Sequence, residues 1–362
     1  MKKRVLIINP ILYTSETDNI PKVNSIKDTM IYSLCMGFVE NGDIPVLAAS
    51  EDYKPTIGEE YPFEIIWFKS VLPKIFKPRC LPKFKGFRRF LLKTGKKYDY
   101  IISGEVFSIC TFDVATTCKD KLIIWHELGA HNNLMHKIPS KIWYNLVARM
   151  FYRNVPIIPR SQNARQFISK YCSRISNTII DHGVDINDFA AVSEKDKYFV
   201  VVSQLVARKR INKIIEAFNI SGYKLFIIGD GPERVTLEKQ ANILSTECVE
   251  FLGKKNHQEL IPILSKAAGL LIYTQKDNSM VSIVESIACG TPVLTTSVPF
   301  NSAYIKEYDL GIVQDDWTNE DLKKLVQNNA EYVENCIKYR EKLSTKYMAQ
   351  QFSHVADSLL RL

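Results

Sequence analysis

The chain has 362 residues, 46% hydrophobic and 24% charged, with a formal net charge of +9. That length exceeds most single cores and suggests about two domains, and the composition excludes a disordered or fibrous chain. The eight cysteines are scattered, with no CxxC pair and no Cys/His cluster of zinc spacing, so neither a disulfide framework nor a structural metal is expected, and reduced thiols fit a cytoplasmic protein.

Charge is distributed unevenly. Residues 1–180 hold 27 Lys and Arg against 15 Asp and Glu, whereas residues 181–362 hold 21 against 24. The basic excess therefore lies in the first half, as expected if only that half faces an anionic partner. Residues 5–8 follow a basic start but are too short for a signal sequence and read as a first buried strand. No run approaches the roughly 18 apolar residues of a membrane-spanning helix.

Further apolar runs at 46–49, 65–68, 100–103, 122–125 and 155–158 read as strands, with a helix over 24–40 ended by Asn41-Gly42. This alternation predicts an α/β domain with a mostly parallel sheet and helices on both faces. Residues 74–97 break the pattern, with ten Lys and Arg, no acid, and interleaved Phe and Leu. One reading is a solvated basic helix whose aromatics pack on the sheet. The other is an interfacial element: Phe84, Phe87 and Phe90 enter lipid while Lys85, Arg88 and Arg89 hold the head groups of an anionic membrane surface. Nucleic acid is not expected, because no helix-turn-helix, RNP-type motif or zinc finger accompanies the patch.

His126 follows the 122–125 strand, a ligand-facing position, although a single His is more often structural. Residues 138–153 are amphipathic, with Ile142, Trp143, Leu146, Val147 and Met150 at helical spacing, and core packing is expected to account for them. A short strand at 179–181 runs into His182-Gly183, and the charge balance changes sign there, which places a domain boundary near 183–195.

A second α/β series occupies 198–202, 224–228, 249–252, 270–273 and 293–296. Arg208, Lys209 and Arg210 stand in the turn entering a helix at 211–219, where cations suit an anion. Gly229 and Gly231 give a tight strand-to-helix turn, but Arg234 stands at the third glycine position of a dinucleotide fingerprint, so NAD is not expected. Residues 277–292 describe a polar loop, a helix with Ile283, Val284, Ile287 and Ala288 on one face, and a stop at Gly290 and Pro292. Loops at the carboxyl ends of parallel strands are where open α/β sheets bind ligands, and a helix's first-turn N–H groups attract phosphate. Glu285, about one turn inside, could hold a sugar's vicinal hydroxyls. Equally, Ser282 and Glu285 fit a capping box, in which the glutamate only satisfies a backbone N–H.

In this order the motifs resemble family-4 glycosyltransferases of the GT-B fold. The resemblance runs from about residue 179 to 313 and rests on Gly183-Val184-Asp185 with Phe189, Leu205 with Lys209, and Ile211 through Ala217-Phe218. Gly229-Asp230-Gly231-Pro232, Val249-Glu250-Phe251-Leu252-Gly253 and Glu285-Ser-x-Ala-Cys-Gly-Thr-Pro292 complete it. It implies two Rossmann-like domains facing across a cleft: an acceptor-binding domain at 1–182, a nucleotide-sugar-binding domain at 183–345, and a C-terminal helix at 346–362 that crosses back to the first. It also implies catalytic roles for His126 near the reacting sugar, Asp277 on the donor sugar, Glu285 on the ribose hydroxyls and Lys209 on the diphosphate. Asn278, Ser279, Met280 and Val281 would offer backbone N–H groups, and Gly253 and Lys254 would hold the base. Gln204 stands where the family has Arg, so Arg208 or Arg210 would have to supply the second phosphate cation.

The implied activity is retaining, metal-independent and cofactor-free transfer of a hexose-type sugar. The donor would be a UDP-, GDP- or TDP-sugar and the acceptor a lipid-linked oligosaccharide, in capsule, exopolysaccharide or lipopolysaccharide O-antigen synthesis. Such a bacterial enzyme would work as a peripheral protein at the cytoplasmic face of the membrane. Asp277 in place of Glu leaves the donor sugar open. The alternatives are a GT-B sugar-nucleotide 2-epimerase and a catalytically inactive GT-B partner subunit, the latter favoured by Gln204.

Overall fold

The strand runs assemble into two separate six-stranded parallel sheets. The computed structural model describes all residues except 1, 13–24, 56–57, 73–74, 76–81, 131–132, 245–247, 278 and 361–362. Two compact units divide the chain: Met1–Gly183 together with Thr345–Leu362, and Val184–Ser344.

The first sheet contains β1 (Arg4–Ile8), β2 (Ile44–Ser50) and β3 (Glu64–Phe68). A small antiparallel pair, β4 (Ser70–Val71) with β5 (Lys83–Phe84), precedes β6 (Tyr100–Gly104), β7 (Leu122–His126) and β8 (Ile157–Pro159). The sheet order is β3-β2-β1-β6-β7-β8, so the direction of progression reverses between β1 and β6. Side chains alternate between the two faces, as the period of two requires. Leu6, Ile8, Ile101 and Ile124 pack under α2 (Phe87–Thr94), α3 (Ile109–Thr117) and α4 (Ile138–Ile142), which continues as the π-helical segment Trp143–Tyr152. Val5, Ile7, Leu47 and Ile102 face α1 (Met30–Glu40) on the other side. The Thr29 hydroxyl starts α1 by accepting from the Tyr32 N–H, and Gly42, at φ +87°, turns the chain out of it. After β8 comes α5 (Gln162–Ile168).

Three expectations about this unit are corrected. Residues 179–181 form no strand; the segment is pinned instead by the Trp125 indole N–H donating to the Ile180 carbonyl at 2.7 Å. Phe84 and Phe87 are buried, with ring centroids 4.9 and 5.2 Å from Phe68, and Phe90 packs partly buried against the same cluster. These rings complete the core and are not available to lipid. Lys85, Arg88 and Arg89 do remain exposed. Conversely, Ile142, Leu146 and Met150, read as core, are 57%, 55% and 64% exposed.

The second unit repeats the plan with β9 (Tyr198–Val202), β10 (Lys224–Ile228), β11 (Val249–Gly253), β12 (Gly269–Leu271), β13 (Val293–Thr295) and β14 (Gly311–Val313). Their order is β11-β10-β9-β12-β13-β14. The connecting helices are α6 (Ile211–Ala217), α7 (Arg234–Ile243), α8 (His257–Lys266), α9 (Val281–Ala288), α10 (Ser302–Glu307), α11 (Asn319–Gln327) and α12 (Asn329–Tyr339). Val200, Ile228 and Leu270 pack with α8 and α9, whereas Phe199, Val201 and Leu271 pack with α6, α7 and α11. Gly229 and Gly231 are required by close approach. A Cβ at Gly229 would lie 1.8 Å from the Ser203 carbonyl oxygen, and one at Gly231 would lie 2.4 Å from that of Leu205. They thereby let the loop leaving β9 lie against the start of α7.

The last helix, α13 (Thr345–Leu360), belongs to the first unit. Met348, Phe352 and Val355 complete the core beneath α1, and α1 comes so close that a Cβ on Gly37 would stand 2.2 Å from the Thr345 carbonyl oxygen. Among the described residues no helix is long and apolar enough to cross a membrane.

Candidate active site

In the second sheet the progression reverses between β9 and β12. Loops leaving neighbouring parallel strands at such a switch point diverge and open a crevice at the carboxyl ends. Here they are residues 203–210 after β9 and 272–280 after β12. Two bonds to the Arg208 carbonyl hold them together, from the Gln275 N–H at 2.9 Å and the Thr274 hydroxyl at 3.3 Å. A small cavity of about 10 Å³ lies at this point, lined by Ser203, Lys209, Tyr273 and Met280 and otherwise by apolar residues such as Val201, Ile211 and Leu271.

Asp277 sits between two cations. Its Oδ1 accepts from Arg208 Nη1 at 2.6 Å, its Oδ2 from Lys209 Nζ at 2.8 Å, and the Thr274 hydroxyl also donates to it. Lys209 and Asp277 keep only 11% and 12% of their side-chain surface exposed, so solvent screens the cluster weakly. Two cations and one carboxylate leave one net positive charge, which suits an arriving anion. Of the two candidates to replace the missing cation at Gln204, the fold brings Arg208 beside Lys209. Arg210 turns away at φ +49°, with its guanidinium 5.6 Å above the Tyr273 ring. Gln204 itself is exposed at the start of the loop.

Glu285 is buried, 4% exposed, on α9. The capping-box reading fails, because the N-cap of α9 is Met280 and no side chain caps it. Instead, a Glu285 oxygen lies 3.1 Å from Nε2 of His257, the first residue of α8. The Met280 N–H is already accepted by Asn301 Oδ1 at 2.7 Å, and Asn301 Nδ2 also donates to the Ser279 hydroxyl. That N–H is therefore part of the scaffold, and Val281 opens the helix behind it. Asn278 lies outside the described residues. Gly253, at φ +69°, ends β11 and accepts from the Gly229 N–H at 2.9 Å. Lys254 is exposed beyond it, two strands away from the cation cluster.

Sequence reasoning missed His257 and Asn301. The Asn256–Glu259 capping box that starts α8 was a readable signal for the helix terminus, though not for its pairing with Glu285.

His126 ends β7 in the first unit and is wholly buried. Its Nδ1 lies 2.8 Å from Glu105 Oε2, while Glu105 Oε1 accepts the Glu127 N–H at 2.8 Å. Glu105, also missed, follows β6 and holds a left-handed backbone at φ +69°. His126 Nε2 is buried without a hydrogen-bond partner. Nearby, the Arg160 guanidinium lies 4.1 Å over the Trp125 ring and pairs with Glu127 at 2.8 Å. It also contacts the His182 ring, and burial, reinforced by the Arg160 charge, pushes the His182 imidazole well below its usual range. Among the described residues no group of three or more His, Cys, Asp or Glu side chains is placed to hold a metal ion.

Residues 185–343, nearly the whole second unit, match the family model described as glycosyl transferases group 1. The second unit is therefore similar to a group 1 glycosyltransferase domain. Over 125 residues the chain is 29% identical to the N-acetyl-alpha-D-glucosaminyl L-malate synthase of Bacillus anthracis, covering 33% of this chain and 32% of that protein. Over 291 residues it is 23% identical to the alpha-monoglucosyldiacylglycerol synthase of Streptococcus pneumoniae, covering 68% and 65%. The chain thus spans less than two thirds of the length of either relative. The crystal structure of Anabaena HepE in complex with UDP superposes with a TM-score of 0.69 at 15% identity, covering 99% of this chain and 100% of that one. The fold is that of the GT-B glycosyltransferases.

Proposed function

We propose that this chain is a retaining, metal-independent glycosyltransferase that moves a hexose-type sugar from a nucleoside-diphosphate donor to a lipid-linked glycan. The observation that carries this reading is the Arg208–Asp277–Lys209 cluster at the switch point of the group 1-like domain. Charge on the leaving diphosphate grows as the glycosidic bond breaks, and preorganised cations in a weakly solvated site stabilise that growth without reorganisation. When the diphosphate arrives, Arg208 and Lys209 turn part of their hydrogen bonding to it, which frees Asp277 for a sugar hydroxyl. Glu285, one oxygen on His257, offers the other to the ribose hydroxyls. The product named for the Streptococcus pneumoniae relative is a glycosylated diacylglycerol, which supports a lipid-borne acceptor at the inner face of a membrane in surface-polysaccharide synthesis. Arg208 beside Lys209 provides the second cation, so Gln204 no longer favours a non-catalytic partner subunit.

Two measurements test this. UDP-, GDP- and TDP-sugars are compared by thermal shift; one of them at about 100 times its Kd adds about 2.7 kcal/mol to the native state. The Lys209→Ala variant is expected to lose roughly 2–4 kcal/mol of transition-state stabilisation in donor turnover. No shift with any nucleotide sugar removes the donor class, and undiminished turnover in Lys209→Ala removes the site. Free sugar released without an acceptor, as the main product, would point to the epimerase.

A further inference from the structure

The helix that carries Glu285 starts without a side chain to cap it. The N-cap of α9 is the buried Met280, which makes no side-chain capping bond. Ser, Thr, Asp or Asn there would accept from the second or third N–H of the helix, and first-turn N–H groups are what an arriving phosphate needs. Support comes instead from outside the helix. Asn301, wholly buried at the start of α10, accepts the Met280 N–H on Oδ1 at 2.7 Å. Its Nδ2 donates to the Ser279 hydroxyl at 3.2 Å and to the Tyr304 hydroxyl at 2.6 Å. The carboxamide cannot be turned over, because Nδ2 would then face the Met280 N–H, donor against donor. It ties the loop after β12 to the start of α10, and Tyr304 is fixed in turn by stacking on Tyr339 of α12, centroids 5.5 Å apart.

The consequence lies in which N–H groups this leaves. That of Met280 is taken, and that of Ile283 turns back to the Met280 carbonyl at 3.1 Å. Those of Val281 and Ser282, the first two residues of α9, have no acceptor within the helix. They follow directly on the loop that carries Asp277, whose partners are Arg208 and Lys209. The chemistry of the holding residue matters as well. An aspartate at 301 would satisfy the same three groups, since both hydroxyls can rotate to donate, but it would place a carboxylate behind N–H groups that face an anion. A carboxamide of that size accepts the Met280 N–H without bringing charge.

We infer that Asn301 is a positioning residue for the donor's diphosphate: through Met280 and Ser279 it holds the start of α9 from behind, so that the Val281 and Ser282 N–H groups serve the phosphates and no local cap claims them. This rests on the donor reading above and adds to it a residue that acts through the backbone and not by contact with the nucleotide.

The test is calorimetric titration of the full chain with UDP, GDP and TDP, each beside its own nucleoside, and with inorganic pyrophosphate. Asn301→Asp keeps all three bonds, so it should fold and leave the Met280 amide slow to exchange. It is expected to bind diphosphate about tenfold more weakly, by like-charge repulsion, while the nucleoside binds as before. Asn301→Leu, of similar volume, has no acceptor. There the Met280 amide should exchange about tenfold faster or more, again with the diphosphate weakened and the nucleoside not. Asn301→Asp decides alone if Asn301→Leu does not fold. Wild-type diphosphate affinity in Asn301→Asp, or equal weakening of nucleoside and diphosphate, would show that Asn301 serves the fold only and would overturn the inference. So would unchanged Met280 exchange in Asn301→Leu. Pyrophosphate separates the two readings. If wild type binds it, both variants bind it more weakly and no nucleotide binds, the donor class falls and Asn301 still positions an anion. If wild type binds neither, both readings fall.

Discussion

Glu105 spends both carboxylate oxygens on N–H donors, one on His126 and one on the backbone of Glu127. A carboxylate only accepts, so the His126 Nδ1–H points at Glu105, while Nε2 is buried without a hydrogen-bond partner. The left-handed backbone at Glu105 costs a residue other than glycine of order 1–3 kcal/mol, and such strain persists where the surrounding structure fixes it. Glu105→Gln supplies one acceptor in place of two, so either the ring or the Glu127 N–H loses its partner. The expected result is a stability loss of about 1–3 kcal/mol and a shift of the His126 ring toward the Nε2-protonated tautomer, read by nitrogen NMR. An unchanged tautomer in the variant would show that Glu105 does not set it. At this scale the positions of Lys209 and Asp277 in loops after strands were legible from Gly, Pro and polarity, and helical spacing placed Glu285 on α9. Glu105, His257 and Asn301 were not legible. Their partners lie 21, 28 and 21 residues away, and nothing in a single sequence marks such pairings. The choice between Arg208 and Arg210 was equally hidden, since it depends on the one left-handed residue that turns Arg210 onto Tyr273.

Between elements, the tightest approach involving a helical glycine is Gly37 of α1 against the first residue of α13. Gly37→Ala would drive a methyl group into backbone that cannot rotate aside. Overpacking of this kind costs typically about 1–3 kcal/mol, seen as a lower denaturant midpoint with an unchanged slope; a wild-type midpoint would mean that the two helices separate easily. Nearly every strand and the alternation of the two sheets could be read from short apolar runs between turn signals. The errors came from helices apolar on more than one side. In the 138–152 helix the inward row and the outward row are both hydrophobic, so periodicity cannot say which faces the core. Over residues 83–94 cations and aromatic rings alternate, and Phe84 of β5 and Phe87 of α2 are spaced to close over Phe68.

For the molecule as a whole, burial of thiols sets the onset of its response to alkali. Buried tyrosines such as Tyr100, Tyr144 and Tyr152, also pushed up by burial, act in the same direction at higher pH. Desolvation pushes the thiols of Cys110, Cys172 and Cys289 up to about 12, and those of Cys35 and Cys336 further still. In the unfolded chain these groups ionise near pH 9. A group whose folded pKa is raised contributes stability that is complete below the unfolded value and is lost as pH climbs through the folded one. Between about pH 9 and 12 each thiol therefore removes up to about 1.4 kcal/mol per pH unit. Lys195 acts in the opposite sense, because burial pushes its ammonium down to about 8, so its contribution grows from about pH 8 to its unfolded value. One group against five leaves a net decline. Urea midpoints at pH 8 and pH 10 should show it, and equal midpoints would mean that the thiols are reached by solvent in the native state.

The first unit is closed by the chain's last helix, and this sets an order of events during synthesis. The underside of α1 emerges early, yet Met348, Phe352 and Val355, which cover it, are translated only after the whole second unit. At roughly 5–20 residues per second, the roughly 300 residues between Glu40 and Met348 keep that apolar surface bare for about 15–60 seconds. Over that interval the second unit has all of its own strands and can fold to completion, while the first cannot. The nascent chain's exposure to chaperones and to aggregation is thus written into its topology, on α1 and not at the active site.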